Sequence, residues 1–98
     1  MAAKISVTRE LQATRGRYVA MIEGFPGEAE LTFARPEPSL FIADHTGTPV
    51  ALRGQGIATA LVERLVADAR REGFRIRPAC PFVVAQFDLH PDWSDLRA

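Results

Sequence analysis

The sequence predicts a mixed α/β fold, in which a sheet of strands carries two helices. Segments with alternating apolar residues or many β-branched side chains fill the first half of the chain, and turn residues separate them. After residue 56 apolar positions recur at helical spacing, and a short apolar segment and a second helical stretch follow. The predicted order is therefore ββββαβα. Because a helix separates the last two strands, we expect them to pair in parallel.

The four strands of the first half are predicted from their apolar alternation and β-branched content. They cover residues 5–8, 18–22, 29–34 and 40–46. Turn signals stand between them: residues 15–17 contain Gly16, residues 25–27 read Phe-Pro-Gly, and Pro36 and Pro38 interrupt the pattern. The short spacing of the second and third strands predicts a hairpin.

The long helix is predicted from about residue 56 to residue 72. Its apolar face includes one line formed by Ile57, Leu61 and Leu65, and most of its charged residues fall on the other face. Gly73 suits a left-handed cap at its C-terminus. A strand over residues 74–80 follows. A second helix then begins at Pro81 and ends at the His-Pro-Asp-Trp segment, residues 90–93.

Length and composition limit the classes of function. The 98 residues leave room for one domain, 1–98, and the 47% apolar and 24% charged content is that of a globular protein. Twelve basic and twelve acidic residues are mixed along the chain, which weighs against nucleic acid as a partner. We expect no secretory signal at the start, where the apolar stretch is too short, and no run reaches the ~20 apolar residues of a membrane helix. We expect a cytoplasmic protein that binds neither nucleic acid nor membrane.

The segment before the long helix, residues 49–58, has the features of an anion-binding loop. Gly54 and Gly56 would let a diphosphate approach the backbone, and the first N–H groups of a helix have no partner inside it. Arg53 adds a planar pair of donors suited to phosphate oxygens. The dinucleotide fingerprint needs Gly or Ala where Thr59 stands, and a Gly-Lys-Ser/Thr P-loop is absent. A glycine-rich turn that only caps the helix stays open as the alternative.

The pattern Arg-x-x-Gly-x-Ala, formed by Arg53, Gly56 and Ala58, resembles the pyrophosphate loop of the GNAT superfamily of N-acetyltransferases. The order of the elements is that of the GNAT core, and three further strings resemble its small single-domain branch, so the resemblance covers nearly the whole chain. The strings are His-Thr-Gly-Thr-Pro at 45–49, Cys-Pro-Phe-Val at 80–83 and His-Pro-Asp-Trp at 90–93. The resemblance implies a GNAT fold, acetyl-coenzyme A as the acetyl donor without a metal, and a primary amine as the acceptor.

The resemblance also implies where the donor binds. A V-shaped opening should separate the strands that end near Thr46 and Cys80, with pantetheine lying in it as an extra strand and the thioester near Cys80. The residues implied in donor binding are Thr46, Gly47, Thr48, Val50, Arg53, Gly54, Gln55, Gly56, Ile57 and Ala58. Relatives often have an acidic residue at position 47 and a tyrosine at position 86, where this chain has Gly47 and Gln86. That tyrosine resembles the general acid of larger GNAT enzymes, and glutamine cannot donate a proton to a thiolate.

His45 and Cys80 are the candidate catalytic residues. His45 lies where the fourth strand becomes polar, so it could remove a proton from the ammonium group, or it could be a structural histidine bonded to a carbonyl. Asp44 is expected on the opposite face of the strand. Cys80 is expected to line the pocket, with a covalent acetyl carrier as the minor variant and His45 as the partner that variant would need. His90 is assigned to a helix exit, and two separated histidines with one cysteine lack the spacing of a metal site.

The sequence and the resemblance favour the first of three functional hypotheses and leave the other two open. The first is direct attack of an amine on acetyl-coenzyme A in a ternary complex, with the acceptor a small molecule or a peptide amine. The second is a non-catalytic acyl-coenzyme A binding or sensing module, and the third is an interaction domain whose glycine loop only caps a helix. The chain is short for the superfamily, so the acceptor cleft should be open. A monomer and a homodimer are both compatible with it.

Overall fold

The computed structural model describes residues 4–98, and it contains a five-stranded sheet and two α-helices. The strands β1 to β5 are Ile5–Leu11, Arg15–Ile22, Ala29–Glu37, Leu40–Gly47 and Arg75–Pro78. The helices α1 and α2 are Ile57–Glu72 and Pro81–Leu89, and 3-10 turns form at Val50–Leu52 and Pro91–Leu96. The predicted α/β class and the order ββββαβα are therefore confirmed.

The strands lie in the sheet in sequence order, β1-β2-β3-β4-β5. The first three pairings are antiparallel, whereas β4 and β5 pair in parallel, from Leu40 opposite Arg75 to Ala43 opposite Pro78. The parallel pairing follows from the crossover through α1, which returns the chain to the starting edge of β4. This arrangement brings the ends of β4 and β5 together beside the start of α1.

The core lies between the helices and one face of the sheet. The inward-facing residues of the strands alternate with polar ones, and they pack in one cluster with the apolar stripe of α1. The largest of them include Tyr18, Leu31, Phe33, Phe41 and Ile76. The opposite face, which we call the outer face, is polar: Glu10, Arg17, Glu30 and Thr32 stand there exposed or half-buried.

A buried carboxylate joins the helix to the first two strands. Asp68 of α1 is fully buried, and its carboxylate accepts hydrogen bonds from the Tyr18 hydroxyl at 2.8 Å and from Arg64 at 3.1 Å. Arg9 and Arg71 also lie within ion-pair distance of it. Burial alone would raise the pKa of Asp68, but the hydrogen bonds from Tyr18, Arg64 and Arg71 outweigh it and lower this pKa.

Two turn predictions were wrong. Residues 15–17 lie inside β2, because Gly16 pairs with Phe33 and a side chain at residue 16 would collide with the Phe33 ring and the Glu10 carbonyl. The chain turns instead between Leu11 and Arg15. Pro36 likewise lies within β3, at a register shift between Ala34 and Glu37. Regular pairing is interrupted there, so a residue without a backbone N–H group is tolerated.

Candidate active site

The strands β4 and β5 separate after Ala43. Its carbonyl oxygen accepts hydrogen bonds from the N–H groups of Ala79 and Cys80, both at 2.9 Å, and the ladder ends there. The chain after Cys80 turns into α2, whereas β4 continues to Gly47. Within residues 4–98, β4 therefore has no strand neighbour on this side beyond Ala43, and an extended ligand could pair with its backbone.

A β-bulge in β4 lies at the same point. Thr32 is opposite His45 and Phe33 is opposite Ala43, so Asp44 is the extra residue between them. The bulge turns two consecutive side chains to the outer face: Asp44 accepts a hydrogen bond from the Thr32 hydroxyl, and His45 approaches a neighbouring carboxylate there. The expectation that Asp44 and His45 point to opposite faces was wrong, because the bulge interrupts the alternation of a regular strand.

His45 stands on the outer face beside the opening, and its side chain is 59% exposed. Its Nε2 lies 3.8 Å from Glu30 Oε2. The ring also lies over Gly47, since a Cβ at residue 47 would be 3.2 Å from His45 Nε2. An exposed imidazole beside a carboxylate can accept a proton and pass it to solvent.

Cys80 lies on the other side of the opening, at the N-cap of α2, and is 8% exposed. Its Sγ is 3.4 Å from the Thr46 hydroxyl. Burial would raise the pKa of this thiol, but hydrogen bonds from the Thr46 hydroxyl and from the backbone N–H groups of Val83, Phe82 and Thr46 lower it overall. A thiol in this setting ionises more readily than an ordinary cysteine.

The structure does not bring His45 and Cys80 together as partners. Thr46, which contacts Cys80, pairs with the inward-facing Leu31, whereas His45 pairs with Thr32 of the outer face. The expectation that His45 could activate the thiol was wrong, because His45 and Thr46 project to opposite faces of the sheet and Cys80 contacts Thr46. The partners of the Cys80 sulfur are instead Thr46 and the start of α2.

A cavity of about 400 Å³ extends from this opening to the start of α1. It is lined by Thr46, Thr48, Leu52, Arg53, Gly54, Gly56, Ile57, Ala58, Thr59 and Phe82. Most residues implied in donor binding are among them. Val50 and Gln55 are not, and Gly47 lines a neighbouring cavity on the outer side together with Glu28 and Glu30.

The sequence argument missed three of these lining residues. Leu52 belongs to the 3-10 turn Val50–Leu52 and is fully buried, whereas its apolar neighbour Val50 is exposed, so apolar character alone could not single out Leu52. Thr59 is in the first turn of α1, next to the motif. Phe82 reaches the cavity from α2, and no local pattern predicts that contact.

The loop presents the start of α1 to the cavity. Gly54 and Gly56 have φ angles of 79° and 75°, in the left-handed region, and neither would place a Cβ within 4 Å of another atom. The first helical bond runs from the Ala60 N–H to the Gly56 carbonyl, so the preceding N–H groups lack a helical partner. The first turn has neither a side-chain cap nor an acidic residue. The positive end of the α1 dipole is therefore available to an anionic ligand.

The remaining candidates lie elsewhere. Gln86 does not line the cavity. His90 stacks on Trp93 with the ring centroids 3.8 Å apart, and its Nδ1 is 2.7 Å from the Gln86 carbonyl oxygen, as expected for a packed helix exit. In the described part of the chain, no group of three or more His, Cys, Asp or Glu side chains is placed to hold a metal ion. No helix among residues 4–98 is both long and apolar enough to cross a bilayer.

Comparison with known proteins bears on this geometry. Residues 17–96 match the family described as GCN5-related N-acetyl-transferase. The chain belongs to this family. The fold is similar to the solution structure of a GCN5-like protein from Staphylococcus aureus, with a TM-score of 0.68 and 21% identity over 93% of this chain and 87% of that chain. No curated protein matches the sequence.

The predicted GNAT fold is thus confirmed, and family and fold together support acyl-coenzyme A N-acetyltransferase activity in general. The separation of β4 and β5 after Ala43 corresponds to the V-shaped opening that the resemblance implies near Thr46 and Cys80. The two sides of this opening carry different chemistry. The helix side has the glycine loop before α1 and Cys80, and the outer side has His45.

Proposed function

We propose that the chain transfers an acetyl group from acetyl-coenzyme A to a primary amine by direct attack in a ternary complex. The observation that carries this proposal is the cavity that joins the unpaired edge of β4 to the exposed N-terminus of α1. An elongated ligand with a diphosphate at one end and an amide-rich arm at the other fits such a surface by its chemistry. Family membership supports acyl transfer in general, and the donor, acceptor and route are our proposal.

The donor would be held mostly by backbone groups. The diphosphate would accept hydrogen bonds from the free N–H groups at Ile57 and Ala58, with Arg53 beside it. The space in front of Gly54 and Gly56 leaves room for that approach. Pantetheine would pair with the unpaired edge of β4 and its continuation, residues 46–50, so Gly47 and Val50 would contribute main-chain atoms.

The acceptor would enter from the outer face. There His45 would take the proton that the ammonium group must lose before its nitrogen can attack the thioester carbon. As the new C–N bond forms and the C–S bond breaks, a backbone N–H of β4 beyond Ala43 would stabilise the developing negative charge on oxygen. The thiolate leaves without a dedicated acid, since a thiol with a pKa of about 8.5 is a good leaving group.

Cys80 lines the opening in this mechanism and does not carry the acetyl group. Intact-mass spectrometry after mixing with acetyl-coenzyme A tests this directly, and we expect no acetyl adduct on the protein. An adduct on Cys80 that an added amine removes as fast as turnover would replace direct attack with a covalent route.

Two measurements test the proposed function as a whole. Calorimetric titration should show binding of acetyl-coenzyme A, and incubation with a panel of primary amines should release coenzyme A. Binding without turnover on any amine would favour the acyl-coenzyme A binding module, for which the supporting observation is Gln86 at the position where relatives often have a tyrosine. Without binding at millimolar ligand, both readings fail, and the glycine loop only caps α1.

A further inference from the structure

Glu30 is the carboxylate that faces His45, and its two oxygens have different partners. Oε1 accepts a hydrogen bond from Arg17 Nη1 at 3.0 Å, whereas Oε2 lies 3.8 Å from His45 Nε2. Arg17 also binds Glu10 at 2.9 Å and contacts Glu28 at 3.3 Å. Arg17 therefore fixes the orientation of the Glu30 carboxylate and leaves Oε2 turned toward the imidazole.

Gly47 provides the room for this approach. It stands directly opposite Glu30 in the β3–β4 register, and a Cβ at this position would be only 3.2 Å from His45 Nε2. The imidazole thus extends along β4, over the glycine, toward the carboxylate on the neighbouring strand. A side chain at residue 47 would compete for the space that the ring occupies.

A neutral imidazole whose Nε2 faces a carboxylate is most stable when Nε2 carries the proton, because the N–H then points at the negative charge. At 3.8 Å the contact of His45 with Glu30 is electrostatic, and such contacts commonly shorten when a substrate is bound. The other nitrogen, Nδ1, is covalently closer to the backbone of β4. With the proton on Nε2, it keeps a lone pair that can accept a proton.

Building on the proposed transfer to an amine, we propose that Glu30 is a positioning residue for His45. Its carboxylate holds the imidazole with the proton on Nε2, so that Nδ1 is the atom that accepts the proton of the incoming amine. Arg17 and Gly47 support this arrangement by orienting the carboxylate and by leaving space for the ring. Among the carboxylates that contact Arg17, this role belongs to Glu30. Glu28 also forms an ion pair with Arg17, but it forms none with His45.

The tautomer can be measured on the ligand-free protein. Long-range ¹H–¹⁵N spectra of the His45 ring at mildly alkaline pH should show Nε2 protonated in the unaltered chain. Glu30→Ala should lower the Nε2-protonated fraction toward the tautomer ratio of a free histidine side chain, and Glu28→Ala, which also removes one carboxylate from Arg17, should retain the fraction of the unaltered chain. An unchanged tautomer in Glu30→Ala, or an equal change in Glu28→Ala, would overturn the proposal.

A double-mutant cycle supplies the kinetic test. Glu30→Ala should lower kcat by roughly tenfold, as is typical when the group that orients a histidine is removed, and should leave the KM for acetyl-coenzyme A unchanged. In the His45→Gln background the same change should cost nothing more, because Glu30 acts through His45. Additive losses would show that Glu30 acts independently and would reject the positioning role.

The proposed acetyl transfer and the positioning role of Glu30 are tested by independent measurements. An unaltered chain without acetyl-coenzyme A binding or turnover rejects the proposed function, whereas the ring spectra need neither ligand nor turnover. Thermal unfolding of each variant shows whether it is folded. If Glu30→Ala does not fold, the Arg17→Ala variant, which frees the Glu30 carboxylate, provides the same spectroscopic comparison and should weaken the Nε2 preference.

Discussion

At Cys80, hydrogen bonds lower the pKa of the thiol by more than burial raises it. The thiol is shielded from solvent, which disfavours the thiolate, yet the Thr46 hydroxyl and the first N–H groups of α2 surround the sulfur and lower its pKa. At a given pH a larger fraction of Cys80 is therefore ionised than of an ordinary cysteine. The lowered pKa of the Cys80 thiol arises from groups on the helix side of the opening and does not require His45.

Alkylation by iodoacetamide should report this property, because the thiolate is the reacting species. We expect the midpoint of the rate-against-pH curve to lie below that of a free cysteine. Thr46→Val removes a hydroxyl donor and should move the midpoint to higher pH. Thr48→Val is the matched control, since Thr48 lines the same cavity without a hydrogen bond to the sulfur, and its midpoint should not move. Equal midpoints for Thr46→Val and the unaltered chain would contradict this account.

The helix α1 has a left-handed glycine at each end, and the two positions form a matched pair. Gly56 and Gly73 have φ angles of 75° and 82°, and neither would place a Cβ within 4 Å of another atom. Only Gly56 lines the cavity at the start of the helix. The same substitution at the two ends therefore separates backbone strain from ligand binding.

Gly56→Ala and Gly73→Ala should each lower the free energy of unfolding by about 1 kcal/mol, because alanine is disfavoured at positive φ. Only Gly56→Ala should also weaken acetyl-coenzyme A binding, since its methyl group stands where the diphosphate would approach. Urea unfolding and calorimetric titration measure the two effects. Equal affinity in both variants would place the diphosphate elsewhere.

Asp68 connects α1 with β1 and β2, and its contribution should depend on pH. Asp68→Asn removes the charge that faces Arg9, Arg64 and Arg71, and should lower the free energy of unfolding at pH 7 by about 2 kcal/mol. The folded-state pKa of Asp68 is lowered, so the stabilisation is present above the ordinary carboxyl pKa of about 3.9 and is lost as pH falls through the folded value. Urea unfolding of both proteins at pH 7 and in this acid range should show the difference shrink. A difference that persists unchanged in acid would point to packing instead.

For the whole molecule, the donor should act as a stabilising ligand. The core is one cluster, and the cavity is bounded by β4, α1 and α2, so a molecule held there would bind the folded chain only. Acetyl-coenzyme A at 100 times its dissociation constant should add about 2.7 kcal/mol to the free energy of unfolding. Adenine nucleotides without pantetheine should add much less, because they leave the unpaired edge of β4 free. A thermal shift assay makes the comparison, and equal shifts would remove pantetheine from the binding mode.

Sequence by itself determined the order of the elements, the extent of α1 and the loop in front of it, because each is encoded locally. Helical periodicity, the glycine at residue 73 and the residues 53–58 all act over a few neighbours in the chain. The same holds for the parallel return of β5, which requires only that a helix precede it.

Only the tertiary structure decided which side chains face each other at the opening. The bulge at Asp44 is a mismatch of register between β3 and β4, and periodicity within one strand cannot reveal it. It places His45 beside Glu30 on the outer face and leaves Thr46 beside Cys80 on the helix side, across 34 residues of chain. The site depends on pairings between distant segments, and those arise from packing the whole sheet against one core.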